Sequence, residues 1–347
     1  MSFQQDFDFP NAAARAFPSI VVMETTNVCN LRCIHCPQGQ GYPESPGYKP
    51  SYMSWDNYTR VIDEVAQHEE VLLRFAPDGE ALIHPQFIDQ IAYAKAKGRN
   101  TVILTTNGLT LDNTAMENGQ KLPGVTIMDR LLDLKLDVID ISMDAFRKDT
   151  YETVRAKSNF HRLWSNVHRL LYLRNQRKAP TKLMLSIIDQ PETRDEVERF
   201  VDFWTPLVDR VLVRPYVANL GLTGRKTGDM VDQNPGIERW PCPQFWKRVT
   251  INTDGYIQFC VVDWTSASQM VHISQSSIAD IWASQEYDRM RGCHLKRQYG
   301  EAHPICGPCT DWMGMRWDWG FDVAIRAALG SEIPATPPRL EESHSQT

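Results

Sequence analysis

From Ile20 onward, short apolar runs rich in Val, Ile and Leu alternate with amphipathic stretches. The runs Ile20–Thr25, Val71–Phe75, Thr101–Thr106, Val138–Met143, Lys182–Ile188 and Arg210–Val217 have the length and composition of strands buried on both faces. Between the first two, Ser54 is placed to cap a helix that puts Trp55, Tyr58, Ile62 and Val65 on one stripe. Residues 86–97, 126–136, 161–177 and 193–204 carry the same helical period. Six strand–helix repeats predict an α/β fold with a parallel sheet and right-handed crossovers, either doubly wound or curled into a barrel. Periodicity does not choose between the two.

The texture changes after residue 218. Residues 219–239 are rich in Gly and polar groups and read as a linker. Arg248–Asn252 and Tyr256–Val262 flank Asp254-Gly255, a hairpin signal. Ser277–Arg291 reads as one helix with Ile278, Ile281, Trp282 and Met290 inward. Pro334, Pro337 and Pro338 lie in a polar C-terminal stretch that reads as a disordered tail. The expected division is a lead-in over 1–19, a sheet domain over 20–218, the linker, a small α+β domain over 240–320, and a C-terminal helix and tail over 321–347.

Composition narrows the class. Of 347 residues, 42% are hydrophobic and 23% charged, enough to bury a core. The net charge of −6 leaves no global footprint for nucleic acid or an anionic membrane. No apolar run approaches the roughly 18 residues of a membrane span. The start, MSFQQDFDFP, lacks the basic and apolar regions of a signal peptide. A cytoplasmic, reducing location is expected, where clustered cysteines hold metals more often than they form disulfides.

The eight cysteines fall in two groups: Cys29, Cys33 and Cys36 near one end, and Cys242, Cys260, Cys293, Cys306 and Cys309 near the other. The first group is C-x3-C-x2-C, directly after the first strand. Random placement would give such a triple with an expectation of roughly 0.004. Three thiolates on one loop can ligate three irons of a [4Fe–4S] cube and leave the fourth open to a substrate or cofactor. A zinc site is the alternative, but zinc knuckles favour paired C-x2-C elements. In the second group, Cys242, Cys260, Cys306 and Cys309 could close a tetrathiolate site, either a second cube or a zinc ribbon.

These residues resemble the radical S-adenosylmethionine (SAM) superfamily, whose signature is C-x3-C-x2-C after the first strand. The resemblance implies a partial (β/α)6 barrel as the radical SAM core. It also implies that the open iron binds SAM, and that the cleaved cofactor yields a 5′-deoxyadenosyl radical. The segment Asp78-Gly79-Glu80-Ala81-Leu82-Ile83-His84-Pro85 is similar to the family's G-G-E-P-L-x-H-P, with Asp78 and Ala81 as departures. The resemblance implies that Gly79 and Glu80 meet the SAM amino group. It places Asn107 at the end of the third strand near the cofactor, Ser142 and Arg155 on the SAM carboxylate, and the His35 backbone against adenine. Asn107 reads equally well as a turn former before Gly108.

The later cysteines, with Gly255 and Ser277–Trp282 between them, are similar to a SPASM/twitch extension in its shortened form, as in the 2-deoxy-scyllo-inosamine dehydrogenases of aminoglycoside biosynthesis. This implies a second, auxiliary [4Fe–4S] cluster. Cys293 is left over: a buried inert thiol, or a hydrogen-atom donor if the enzyme is an epimerase. Trp312, Trp317 and Trp319, with Asp311, Arg316 and Asp318, read either as substrate wall or as domain packing.

The function expected is a radical SAM oxidoreductase in natural-product biosynthesis. It would abstract hydrogen from a small sugar or aminocyclitol substrate and oxidise an alcohol carbon to a ketone, with the auxiliary cluster as electron acceptor. Redox-neutral epimerisation or decarboxylation is the alternative. Peptide modification is less favoured, since only 19 residues precede the first strand. A flavodoxin or ferredoxin would supply the priming electron. Asp189, Asp263 and Arg214 are candidates around the substrate proton.

Overall fold

A computed structural model of the chain describes residues 16–45, 48–76, 78–98, 100–225, 238–315 and 321–330. Its core is a sheet whose first six strands run parallel in chain order: β1 (Ile20–Met23), β2 (Leu72–Phe75), β3 (Thr101–Thr106), β4 (Val138–Ser142), β5 (Lys182–Asp189) and β6 (Arg210–Pro215). Each strand lies where an apolar run predicts it. β6 stops at Pro215, whose ring removes a ladder donor.

The sheet continues on the other side of β1. β7 (Arg248–Ile251) pairs parallel with β1, with Arg248 opposite Ile20 and Ile251 opposite Met23. β8 (Tyr256–Gln258) and β9 (Gln269–His272) follow antiparallel. The Asp254-Gly255 hairpin therefore belongs to the main sheet. Gly255 occupies the turn at φ +88°, where a side chain would be strained.

The choice between an open sheet and a barrel is settled by one cavity lined from both β6 and β7. These strands are six positions apart, which in a flat sheet would separate them by about 29 Å. The sheet therefore curls around the cavity. Side chains alternate accordingly. Val21, Leu73, Val102, Leu104, Ile139 and Leu185 face the outer core, with helices α1 (Trp55–Val65), α2 (Phe87–Lys97), α3 (Ile127–Asp133), α4 (Lys148–Val154), α5 (Phe160–Gln176) and α6 (Val197–Trp204) around them. Ile20, Val22, Leu72, Ile103, Val138, Met184 and Leu212 face inward and pack on Ala324, Ile325 and Ala328. Those last three belong to the C-terminal helix, which plugs one end of the barrel.

Local capping follows the sequence. Ser54 Oγ accepts from Asn57 N, and Thr126 with Asp129 forms a full capping box on α3. Three expectations need correction. Ser277–Arg291 is two helices, α7 (Ile278–Trp282) and α8 (Gln285–Leu295). Ser284 restarts the chain by capping Tyr287 N at 3.2 Å, as Ser277 caps Asp280 N at 3.0 Å. The stretch beginning at 219 is not a free linker at its start: the buried Asp311 carboxylate accepts Ala218 N and Leu220 N, both at 2.7 Å. Helix α4 and a small hairpin, Thr114–Glu117 with Gln120–Thr126, went unpredicted because neither has a clean period. The plugging helix is α9 (Phe321–Ala328). The tail over 331–347, and Arg316, Trp317, Asp318 and Trp319, lie outside the described residues. No helix among those described is long and apolar enough to cross a membrane.

Candidate active site

The central cavity, about 360 Å³, opens at the C-terminal ends of the strands. Cys29, Cys33 and Cys36 all line it, with His35, Asp78, Gly79, Glu80, Asn107, Ser142 and Arg155. Nine of these residues, singled out in five separate segments, therefore meet in one place. The cysteine loop is held tightly. A Cβ on Gly39 would stand 2.1 Å from Cys33 O, so only glycine fits there. Gly79 is equally constrained: its Cβ would lie 2.2 Å from Thr26 O and 2.7 Å from Val28 O. The Gly-Glu turn thus sits directly on the segment leading into the cysteines.

Glu80 is buried and its carboxylate is already engaged. It accepts Thr106 Oγ1 at 2.6 Å, Asn107 N at 2.7 Å and Leu82 N at 3.3 Å. Burial pushes its pKa up, and the bonds from Asn107 and Thr106 oppose that. Asn107 serves as both the turn former and a tie. Its Oδ1 accepts Leu109 N at 3.0 Å, and its Nδ2 reaches Asn30 Oδ1, beside Cys29, at 2.8 Å.

Arg155 donates to Asp144 through Nε at 2.8 Å and Nη2 at 2.5 Å, and its Nη1 lies 3.8 Å from Cys33 Sγ. Burial works against ionisation of Asp144, but Arg155 and then His35 outweigh it and hold the carboxyl below its ordinary value. His35 Nε2 stands 3.4 Å from Asp144, yet burial lowers the imidazole pKa to about 4, so the ring is neutral at physiological pH. Asp144 is a residue the sequence reading did not single out. Its signal is a left-handed φ of 56° just past β4, where non-glycine residues are uncommon.

A second, smaller cavity is lined by Cys242, Cys260, Cys306 and Cys309. His294 also lines it and accepts Cys242 N on Nδ1 at 3.2 Å. Trp312 is part of the same wall, packed edge-on against Trp240 at 4.7 Å. Gln244, Val262 and Met315 line both cavities, so these three side chains are the partition between them. Among the described residues, no three His, Cys, Asp or Glu side chains converge as they would around one metal ion. Ligands of a cube stand further apart, around a shared space at whose corners the irons lie. Two cysteine sets, each facing its own cavity, fit that requirement. Burial pushes the Cys29, Cys242 and Cys306 thiols up to about 12, so the bare sites hold neutral thiols and cluster binding releases protons.

Cys293 lines neither cavity. Helix α8 turns Tyr287, Met290 and His294 inward, which leaves Cys293 half-buried with its Sγ 3.9 Å from Arg289 Nη1. Asp189 is tied to Arg194 at 2.8 Å, and Asp263 is spent on Thr265 and Ser268 in its own loop. Arg214 does line the central cavity.

These features define a SAM-cleaving iron–sulfur enzyme with a second cluster site. The radical SAM superfamily model matches residues 23–203, just over half of the chain, and the chain belongs to that superfamily. The model of the iron–sulfur cluster-binding SPASM domain matches residues 242–310. Together they bring SAM and two [4Fe–4S] clusters. Among curated proteins, GTP 3′,8-cyclase of Chlorobaculum tepidum is 26% identical over 183 residues, 52% of this chain and 48% of its own length. Molybdenum cofactor biosynthesis protein 1 of Mus musculus is 25% identical over 156 residues, 45% of this chain and 22% of its own. The chain thus spans about half or less of the curated relatives it matches. Among solved structures, BtrN in complex with AdoMet and 2-DOIA has a TM-score of 0.55 at 14% identity, covering 84% of this chain and 92% of BtrN. Streptococcus suis SuiB bound to precursor peptide SuiA has a TM-score of 0.61 at 12% identity, covering 82% and 69%. At these identities the likeness is one of fold.

Proposed function

We propose that this enzyme abstracts a hydrogen atom from a carbinol carbon of a small polar substrate of sugar or cyclitol type and oxidises it to a ketone. The observation that carries the reading is the shared partition: Gln244, Val262 and Met315 put the second cysteine site within one side chain of the substrate cavity. The bound SAM and clusters supply one-electron chemistry, a hydrogen-atom acceptor on one side and a place for the substrate's second electron on the other.

The chain's own residues do the rest. Cys29, Cys33 and Cys36 would hold the first cluster, and Cys242, Cys260, Cys306 and Cys309 the second. Gly79, Glu80 and Asn107 shape the wall for the SAM ammonium, Ser142 and Arg155 that for its carboxylate, and the His35 backbone the adenine pocket. The hydroxyl proton has an acceptor in Asp78. This residue lines the cavity, and one of its oxygens is buried without a partner. Burial, then Glu24 and Asp263, hold its carboxyl well above the ordinary range, so its ionised form is a stronger base than an ordinary carboxylate. With those groups bound, the balance would be one hydrogen atom and one electron lost from the substrate to them and one proton to Asp78.

The test is the reconstituted enzyme with SAM, reductant and candidate polyols in D2O. A ketone without deuterium in recovered substrate supports the reading. Deuterium at an inverted carbon, or loss of carbon dioxide, overturns it in favour of epimerisation or decarboxylation.

A further inference from the structure

The inner face of the barrel carries charge one layer below the SAM site. Asp140 on β4 lies two residues before Ser142, about 7 Å deeper along the strand. At that depth and around it, Arg74, Arg214, Lys247 and Arg248 line the cavity, contributed by β2, β6, the turn before β7, and β7 itself. Two carboxylates answer them. Asp140 takes an Nη2 hydrogen bond from Arg214 and a hydroxyl bond from Thr105 at 3.1 Å. Asp322, at the start of α9, accepts Lys247 at 3.1 Å.

Arg74 is buried and has no ion pair among the described residues. Its Nε donates to Thr105 Oγ1 at 3.0 Å, and its guanidinium carbon stands over the Phe321 ring, 3.7 Å from the centroid. The Nε of Arg248 is buried without a partner, and so is the Nε of Arg214. Burial lowers the pKa of both Arg74 and Arg248; Arg214 and Arg248 add to this for Arg74 against Asp140, while Asp322 and the Cys242 and Cys260 thiols oppose it for Arg248. Four cations against two carboxylates leave an excess of two positive charges on the cavity wall at this depth. An uncompensated buried charge is costly, and an arriving anion removes that cost.

We propose that the substrate carries an oxyanion, a phosphate ester or a carboxylate, that seats on Arg74, Arg214 and Arg248 at the floor of the barrel. Guanidinium edges suit both groups because each offers paired donors to paired oxygens. The site is distinct from the SAM carboxylate site, which Arg155 and Ser142 serve from the strand ends. A substrate whose only charge is ammonium meets like charge there. The inference deepens the proposed function by naming the class of substrate, and it rests on that reading only for the identity of the reacting carbon.

The experiment is a binding titration on the reconstituted enzyme with SAM present. Inorganic phosphate, followed by 31P line broadening, and succinate, followed by calorimetry, are the probes. One probe at least is expected to bind saturably at one per chain, about 10-fold more weakly in Arg248→Gln and with partial recovery in Arg248→Lys. SAM affinity, measured on the same samples, controls for folding. Phosphate binding favours an ester and succinate binding an acid; either supports the proposal. Failure of both probes to saturate, or binding unchanged in Arg248→Gln and Arg214→Gln alike, overturns it. If anion binding holds while the ketone assay fails, the dehydrogenation reading falls and the anion site stands.

Discussion

Arg155 gives two of its guanidinium nitrogens to a single carboxylate oxygen of Asp144, at 2.8 and 2.5 Å, which leaves Nη1 directed toward Cys33. The residue assigned to the SAM carboxylate is thus positioned from behind by a buried acid. Asp144 is fixed in turn by Ile188 N at 2.9 Å. Asp144→Ala strands a buried guanidinium and should cost about 3–5 kcal/mol of stability. Asp144→Asn keeps the shape and should weaken SAM binding about 10-fold with a smaller loss of Tm. Equilibrium dialysis with labelled SAM, beside a thermal melt, checks both.

The two cysteine sets predict separable iron. Wild type should reconstitute to about eight irons per chain and Cys242→Ala to about four, by iron assay. The variant should still form 5′-deoxyadenosine from SAM but no ketone. Loss of both activities together would mean that the second site supports the fold rather than the electron balance.

Gly79→Ala is a steric test of the cofactor wall. The new Cβ would meet the Thr26 and Val28 carbonyls at 2.2 and 2.7 Å, and both are backbone atoms on the segment entering the cysteine loop. Overpacking of this kind costs about 1–3 kcal/mol, and here it also displaces the loop. Reduced Tm and loss of SAM-induced spectral change are expected in the same variant.

Glu24 provides a pH test. Burial raises its pKa to about 8 from 4.5, a bond from Thr253 N partly opposes this, and Asp254 adds to it. The folded state therefore keeps a proton that the unfolded chain has released between those values. Stability falls as pH rises through that window. Glu24→Gln removes the dependence. Its Tm should exceed that of wild type at pH 8, and the gain should vanish near pH 4.5. A constant difference across the window would contradict the assignment.

Cys293→Ala should leave ketone formation within about 2-fold of wild type, since the thiol touches neither cavity. Turnover assays on the reconstituted variant decide it.

Much of the architecture was legible because its signals are local. Strands buried on both faces leave unbroken apolar runs, and Ser54 and Thr126 mark helix starts within one turn of chain. The cysteine spacing is equally local, since one loop carries the first set. The single helix expected over Ser277–Arg291 failed for a local reason as well: Ser284 competes as a cap inside an apolar period that continues across it.

Other features depend on residues that meet only after folding. Arg74 in the run Leu-Leu-Arg-Phe and Asp140 in Val-Ile-Asp-Ile-Ser interrupt apolar strands, and those interruptions are the sequence trace of a polar barrel floor. The trace does not say that Arg248, more than a hundred residues away, stands beside them. That juxtaposition requires β7 to pair with β1 and the sheet to curl.

By itself the sequence determined the superfamily chemistry: three cysteines on one loop leave an iron open, and four more can close a second site. Tertiary structure decided how these parts relate. It brought the two cysteine cavities to either side of Gln244, Val262 and Met315 and turned Cys293 away from both. It also gathered arginines from strands up to six positions apart in the sheet onto one cavity. The reason is geometric: spacing along the chain fixes what one loop can hold, while curvature and strand order fix which loops share a cavity.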